Sequence, residues 1–155
     1  MIKKFELDLS SKITHFGIEL YRIKALISFG SVEEGELGGY VEKEENLSHY
    51  GNAWVYGNAR VYGNAEVYGN ARVYGNAWVS GNAWVSKLDD HIVFKNTWSS
   101  GRYFTYTKSN KMWRVGCFYG TGEELIKKAY EDSEKSGKHY EAYVNFVKTL
   151  EVLDK

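Results

Sequence analysis

Residues 51–86 read GNAWVY GNARVY GNAEVY GNARVY GNAWVS GNAWVS, six hexads without a gap. Ala and Val stand two apart in every hexad, from Ala53 and Val55 to Ala83 and Val85. In an extended chain residues two apart share a face, so both point to one side, and that side is the interior. The residue between them is Trp, Arg or Glu and points outward, as does the Tyr or Ser after each Val. Gly-Asn supplies the corner, because Gly accepts any backbone angle and Asn tolerates positive φ better than most residues. A helix is excluded: six residues turn through about 600°, so the Val column would drift around the cylinder. Gly at every sixth position would also cost a helix about 1 kcal/mol each relative to Ala.

Short strands with regular corners, and only Ala and Val inside, make a narrow solenoid whose coils stack on one another. Three hexads close one triangular coil, so residues eighteen apart stack at about 4.8 Å. The outer columns are then Trp54 with Arg72, Arg60 with Trp78 and Glu66 with Trp84, while Tyr50 lies near Tyr68 and Tyr56 beside Tyr74. Inside, Val55 meets Val73, Val61 meets Val79 and Val67 meets Val85. An aliphatic residue with a small residue two positions before it resembles the pattern of the hexapeptide-repeat proteins. That resemblance implies a left-handed parallel β-helix; the hand comes from it alone, since general chirality favours right-handed crossovers.

Two clean coils bury too little to stand alone, so both ends need covers. Residues 1–34 read as a β-rich N-terminal cover, with LYRIKALI at 20–27 alternating as a strand that breaks at Phe29-Gly30. Residues 35–86 form the solenoid. Val41 and Leu47 keep the hexad spacing and Gly39 is the small partner of Val41, but Glu45 takes that place before Leu47 and the step to Val55 is eight. This predicts an irregular first coil with a bulge near Ser48 to Tyr50. Residues 87–155 read as a small α+β C-terminal cap with strands at 92–94, 102–107 and 112–118, the last two joined by a turn over Ser109 and Asn110. Thr121 and Glu124 have capping-box spacing; Leu125, Ile126, Ala129 and Tyr130 mark one helix face that ends at Gly137, and Tyr140, Tyr143, Val144, Val147 and Leu150 mark a second. The chain is thus mainly β. LYRIKALISFG, GELGGYVEKEENLS, the GNA hexads and GCFYGTGEEL together resemble a family of hexapeptide-repeat proteins common in phages, prophages and bacterial genomes. Many of its members carry a transferase label, which follows the fold rather than a shown activity.

Twenty Lys and Arg balance twenty Asp and Glu among 155 residues, so direct nucleic-acid binding is not expected. One Cys closes no internal disulfide, MIKKFELDLSSK mixes charge with apolar residues, and no stretch approaches the ~18 apolar residues of a membrane span. These features predict a cytoplasmic protein, in the host cytoplasm if phage-encoded. Proline is absent, whereas Tyr, Phe and Trp number thirteen, seven and five.

Acyltransferases of the hexapeptide-repeat fold use a His as general base and a loop extruded from the coils. Here the hexads carry no insertion, and His15, His49, His91 and His139 all lie outside them. His49 and His91 flank the repeat and would act only in a site completed by a neighbouring subunit. The zinc site of this fold needs imidazoles clustered within about one coil, which four scattered His do not supply, so no metal or cofactor is expected. Cys117 stands among apolar residues and reads as core. Thr121 and Glu124 satisfy the helix-start donors beside Gly120 and Gly122, and corner glycines explain GELGG at 35–39, so neither reads as a phosphate site. Glu33, Glu34, Glu36, Glu42, Glu44 and Glu45 form an acidic patch, either a solvated face or a contact for a basic partner such as the nucleic-acid groove of a host defence protein. The outward Trp54, Tyr56, Arg60, Glu66, Arg72, Tyr74, Trp78 and Trp84 form the candidate binding surface, because Trp, Tyr and Arg dominate interface hot spots. The same columns also stabilise neighbouring coils, at ~0.5–1 kcal/mol per exposed cation–π contact, and suit contacts within a homo-oligomer, a dimer or trimer. With the family resemblance, the expectation is a non-catalytic protein that binds and blocks a host macromolecule, in the manner of an anti-CRISPR inhibitor. An acyltransferase-like enzyme and a structural assembly protein are the alternatives. In the cap, Trp98, Arg102, Tyr103 and Trp113 are further places for a ligand.

Overall fold

In the computed structural model, which describes residues 2–87 and 90–154, every hexad contributes one two-residue strand and one corner. The chain begins with β1 (Phe5–His15), β2 (Ile18–Ala25) and β3 (Leu37–Val41). The hexad strands follow as β4 (Trp54–Val55), β5 (Arg60–Val61), β6 (Glu66–Val67), β7 (Arg72–Val73), β8 (Trp78–Val79) and β9 (Trp84–Val85). The cap contains β10 (His91–Lys95), β11 (Tyr103–Thr107), β12 (Met112–Val115), β13 (Phe118–Gly120), α1 (Gly122–Asp132) and α2 (Glu134–Leu153).

Pairing within the hexads follows the eighteen-residue period. Trp54 is in parallel register with Arg72, Arg60 with Trp78, and Glu66 with Trp84, each pair carrying its Val partners. All six Ala and all six Val of the repeat are buried and form one core. The corner glycines have φ between +59° and +70°. At Gly51 a Cβ would also stand 2.5 Å from the carbonyl oxygen of Gly69, so the stacked corner admits no side chain.

The first coil is longer. Val41 pairs with Val61 and Leu47 with Val67, so two residues are added between Leu47 and Val55. Ser48 N–H still donates to Val67 and Asn52 N–H to Gly69, which places the extra pair at His49 and Tyr50. Asn46 is buried at this irregular corner: its Oδ1 accepts from the N–H groups of Glu42 and Lys43, and its Nδ2 donates to the carbonyls of Gly63 and Ala65.

The N-terminal segment is a longer hairpin than the sequence suggested, since Phe5–His15 is also a strand. β1 pairs antiparallel with β2, β2 with β3, and β3 runs parallel to β5, so the hairpin extends one face of the solenoid as a five-stranded sheet. Phe5, Ile23, Ala25 and Val32 join the core of the coils. Lys4 is 1% exposed and closes this end, its ammonium donating to Ala53 O at 2.6 Å and Gly51 O at 3.4 Å.

At the other end the cap sheet runs β10-β11-β12-β13, all antiparallel. Phe104 and Tyr106 face the helices and join Trp113, Leu125, Ala129, Tyr140, Val144 and Val147 in a second core. Thr105, between them, reaches the last coil. The final strands of a solenoid have no next coil to receive their N–H groups. Here side chains of the cap receive them: Thr105 Oγ1 from Trp78, Ser109 Oγ from Trp84 and Asp90 Oδ2 from Ser86.

Three expectations for the cap need correction. MWRVGCF is not one strand, because Gly116, at φ +56°, and Cys117 form a turn between β12 and β13, leaving Cys117 exposed rather than in the core. The capping box at Thr121 and Glu124 forms with both of its hydrogen bonds, but α1 ends at Ser133, which in turn caps α2. Gly137 lies inside α2, where a Cβ would meet the Tyr130 ring; it marks a close helix approach and not a helix end.

Candidate binding surface

Outward positions on the three faces of the coils have different fates, because the hairpin and the cap cover some and leave others. Trp54 leaves its coil on the outer side but is 0% exposed, enclosed by Phe5 and by Phe29 at 5.2 Å between ring centres. The expected outer position of Trp54 is therefore a second layer of core. Arg60 and Trp78 lie half-buried under the hairpin tip, where the Arg60 guanidinium sits 5.3 Å from the Trp78 ring and hydrogen-bonds His15 Nδ1. Tyr62 and Ser80, read as outward, are buried at the joint with the cap, where Arg114 donates twice to Ser80 Oγ and lies over the rings of Tyr62 and Tyr119. On the third face Glu66 and Trp84 are exposed, Trp84 at 58%.

A second open region runs along the corner made by Tyr56 to Asn58 in one coil and Tyr74 to Asn76 in the next. On one side Ser31, Tyr56, Asn70, Arg72 and Tyr74 line an open cavity of about 570 Å³. On the other, Asn58, Arg60, Asn76, Trp78, Arg102 and Tyr103 line one of about 340 Å³. Arg72 is exposed and makes no hydrogen bond or ion pair among the described residues. The exposed Arg102 guanidinium packs over Gly116 and is likewise unpaired. Among the described residues no carboxylate lines either cavity. The structure thus joins Tyr56, Arg72 and Tyr74 from the repeat with Arg102 and Tyr103 from the cap. The eighteen-residue period gives the columns but cannot say which of them the covers hide, nor that Tyr103 stands beside Asn76.

The acidic patch divides. Glu42 Oε1 accepts the Gly63 N–H at 2.8 Å, Glu44 pairs with Lys3 and His49, and Glu36 accepts the Glu33 N–H. Glu33, Glu34 and Glu45 are exposed.

Each His has its own surroundings. Both nitrogens of His49 are engaged, Nδ1 by the Lys4 N–H and Nε2 by Glu44 at 2.7 Å, and its ring stacks on Phe5 at 4.3 Å. His15 is buried between Tyr62, Trp78 and Phe16; burial first, then the charges of Arg60 and Arg114, lower its pKa to about 4. Burial also lowers that of His91. His139 stacks on Trp98. Among the described residues no three His, Cys, Asp or Glu side chains converge as metal ligands, and no helix is long and apolar enough to cross a membrane.

No curated protein matches the sequence of this chain. Residues 53–69, 65–81 and 71–87 each match a family model described as the YdcK beta solenoid repeat, so this stretch is similar to that repeat family and is a β-solenoid.

Proposed function

We propose that this is a non-catalytic binding protein that docks an acidic protein surface along the Tyr56 to Tyr74 corner of its solenoid. One observation carries this reading: two exposed guanidiniums, Arg72 and Arg102, unpaired among the described residues, flank Tyr56, Tyr74 and Tyr103 in cavities that no described carboxylate lines. In a chain with equal numbers of acidic and basic residues, such a strip favours an anionic partner. An acidic protein fits better than nucleic acid, because two free guanidiniums give slight phosphate attraction. In its full form the proposal has the coils winding left-handed, the partner belonging to the host of a phage-encoded chain, and binding blocking that partner. The occupied nitrogens of His49 favour this reading over acyl transfer, which would require that imidazole to take up a proton.

The test is a comparison of wild type with Arg72→Glu, Arg102→Glu and with Trp84→Ala, by affinity capture and then by titration of the purified partner. Charge reversal should weaken binding about tenfold or more and remove its salt dependence, whereas Trp84→Ala, on another face, should bind as wild type. Arg60 is left intact because it holds His15. A partner that binds the doubly reversed protein equally well excludes the strip as its docking face.

A further inference from the structure

The cap contains a cavity of about 310 Å³, apart from the solenoid strip. It lies between the start of α1, the C-terminal half of α2 and strands β11 and β12. Trp113, Val144 and Val147 give it an apolar wall, and Lys111, Glu123, Lys148 and Glu151 stand around it. Trp113 is 2% exposed as a whole, but its indole N–H stays open to the cavity and has no protein acceptor among the described residues. The indole N–H of Trp54 is also unpaired, but Trp54 is sealed between Phe5 and Phe29 and lines no described cavity, whereas Trp113 borders open space. Gly122 keeps that space open. A Cβ there would stand 2.8 Å from Val144 Cγ1 and 3.4 Å from the Trp113 indole nitrogen.

Charges at the rim cancel in pairs. Lys148 donates to Glu123 at 3.0 Å, and Glu151 accepts from Lys111 and from the Tyr106 hydroxyl. A carboxylate entering the cavity would face Glu123 and Glu151, and an ammonium would face Lys111 and Lys148. We propose that this cavity binds a small uncharged amphipathic molecule, whose carbonyl oxygen accepts the Trp113 indole N–H and whose aliphatic part lies on Val144 and Val147. An apolar wall with a small number of polar groups at its edge is the composition of small-molecule sites.

The full chain, labelled with nitrogen-15, tests this with hexanamide as probe and hexanoate and hexylamine as charged counterparts. The Trp113 indole cross-peak is assigned by Trp113→Phe or, if that variant does not fold, by its contacts with the Val144 methyls. Hexanamide in the millimolar range should displace this peak downfield and to saturation, with the charged probes at least about tenfold weaker. Val152, at the mouth, is 66% exposed, so Val152→Trp should close the entrance without disturbing the core and abolish the response in a folded protein. Absence of a saturable displacement with hexanamide, equal responses to all three probes, or an unchanged response in Val152→Trp would each overturn the proposal.

Discussion

His15 enters the interior from the tip of the hairpin, and the described groups that face it are Arg60, Arg114, Tyr62 and the rings of Trp78 and Phe16, with no carboxylate among them. It is therefore neutral in the folded protein down to about pH 4, whereas the unfolded chain takes up the proton near pH 6.5. The stabilisation is complete above pH 6.5 and is lost as pH falls towards 4, amounting to about 3 kcal/mol at 1.36 kcal/mol per unit. Carboxylates such as Glu19 and Glu124, whose pKa values lie below the usual range, also lose stabilisation in acid, so the quantity to measure is a difference. Denaturant titrations of wild type and His15→Gln at pH 7 and pH 4 should diverge by that amount; parallel curves would refute the assignment. Lys4 behaves in the same sense at alkaline pH. Burial lowers its pKa to about 8 against 10.5 in the unfolded chain, so stability rises with pH between those values in wild type and not in Lys4→Met. Thermal midpoints of the two proteins from pH 7.5 to 10 would show whether it does.

Among the elements, the corners and the last coil carry separable costs. Gly51 and Gly75 share a left-handed φ near +70°, but a Cβ at Gly51 meets the Gly69 carbonyl at 2.5 Å while one at Gly75 meets nothing within 4 Å. Gly75→Ala should lose about 1–2 kcal/mol, from the backbone conformation alone, and Gly51→Ala clearly more. Equal losses in urea titrations would show that stacking distance between corners is not what limits them. Thr105→Val removes the acceptor of the Trp78 N–H and should cost about 1–3 kcal/mol, whereas a loss within error would mean that the open coil end tolerates an unpaired donor. These contacts also mark how far the sequence could be read. Hexad spacing alone yields the coils, their columns and the two added residues before Val55, because each depends on a local period. Phe5–His15 is harder to see, since its apolar and polar residues do not alternate cleanly across the register shift between Asp8 and Ile13. Gly137 and Gly116 depart from the sequence expectation because glycine signals a helix end, a tight turn or a close approach equally well, and only the neighbouring Tyr130 or Arg102 decides which. Trp54 does point outward from its own coil, as the period predicts, but its burial depends on Phe5 and Phe29, contacts made from a different part of the chain.

On the scale of the whole molecule, the two hydrophobic cores share no buried residue, and the joint between them combines the apolar contact of Val93 on the coils with specific polar bonds. Thr105, Ser109, Asp90 and Arg114 each bond the last coil, and Tyr119 lies close to Gly81, which leaves no room for a Cβ. Opening this joint would leave the N–H groups of Trp78, Trp84 and Ser86 without these acceptors and bring the buried Tyr62 and Ser80 into water. The coils therefore depend on the cap to end their hydrogen-bond ladder, and the candidate strip, which takes Tyr74 from one and Tyr103 from the other, exists only while they are docked. Coupled parts of this kind unfold together. Helix loss followed by far-ultraviolet circular dichroism reports on α1 and α2, and near-ultraviolet signals from Trp54, Trp78 and Trp84 report on the coils. With Trp98 and Trp113 replaced by Phe to silence the cap, the two probes should give one midpoint in urea. Substituting Arg114→Met, which removes both bonds to Ser80, should lower that shared midpoint without splitting it. Two separated transitions in the otherwise unaltered joint would mean that the solenoid holds its last coil unaided, and the docking strip would then have to be sought on the repeat alone.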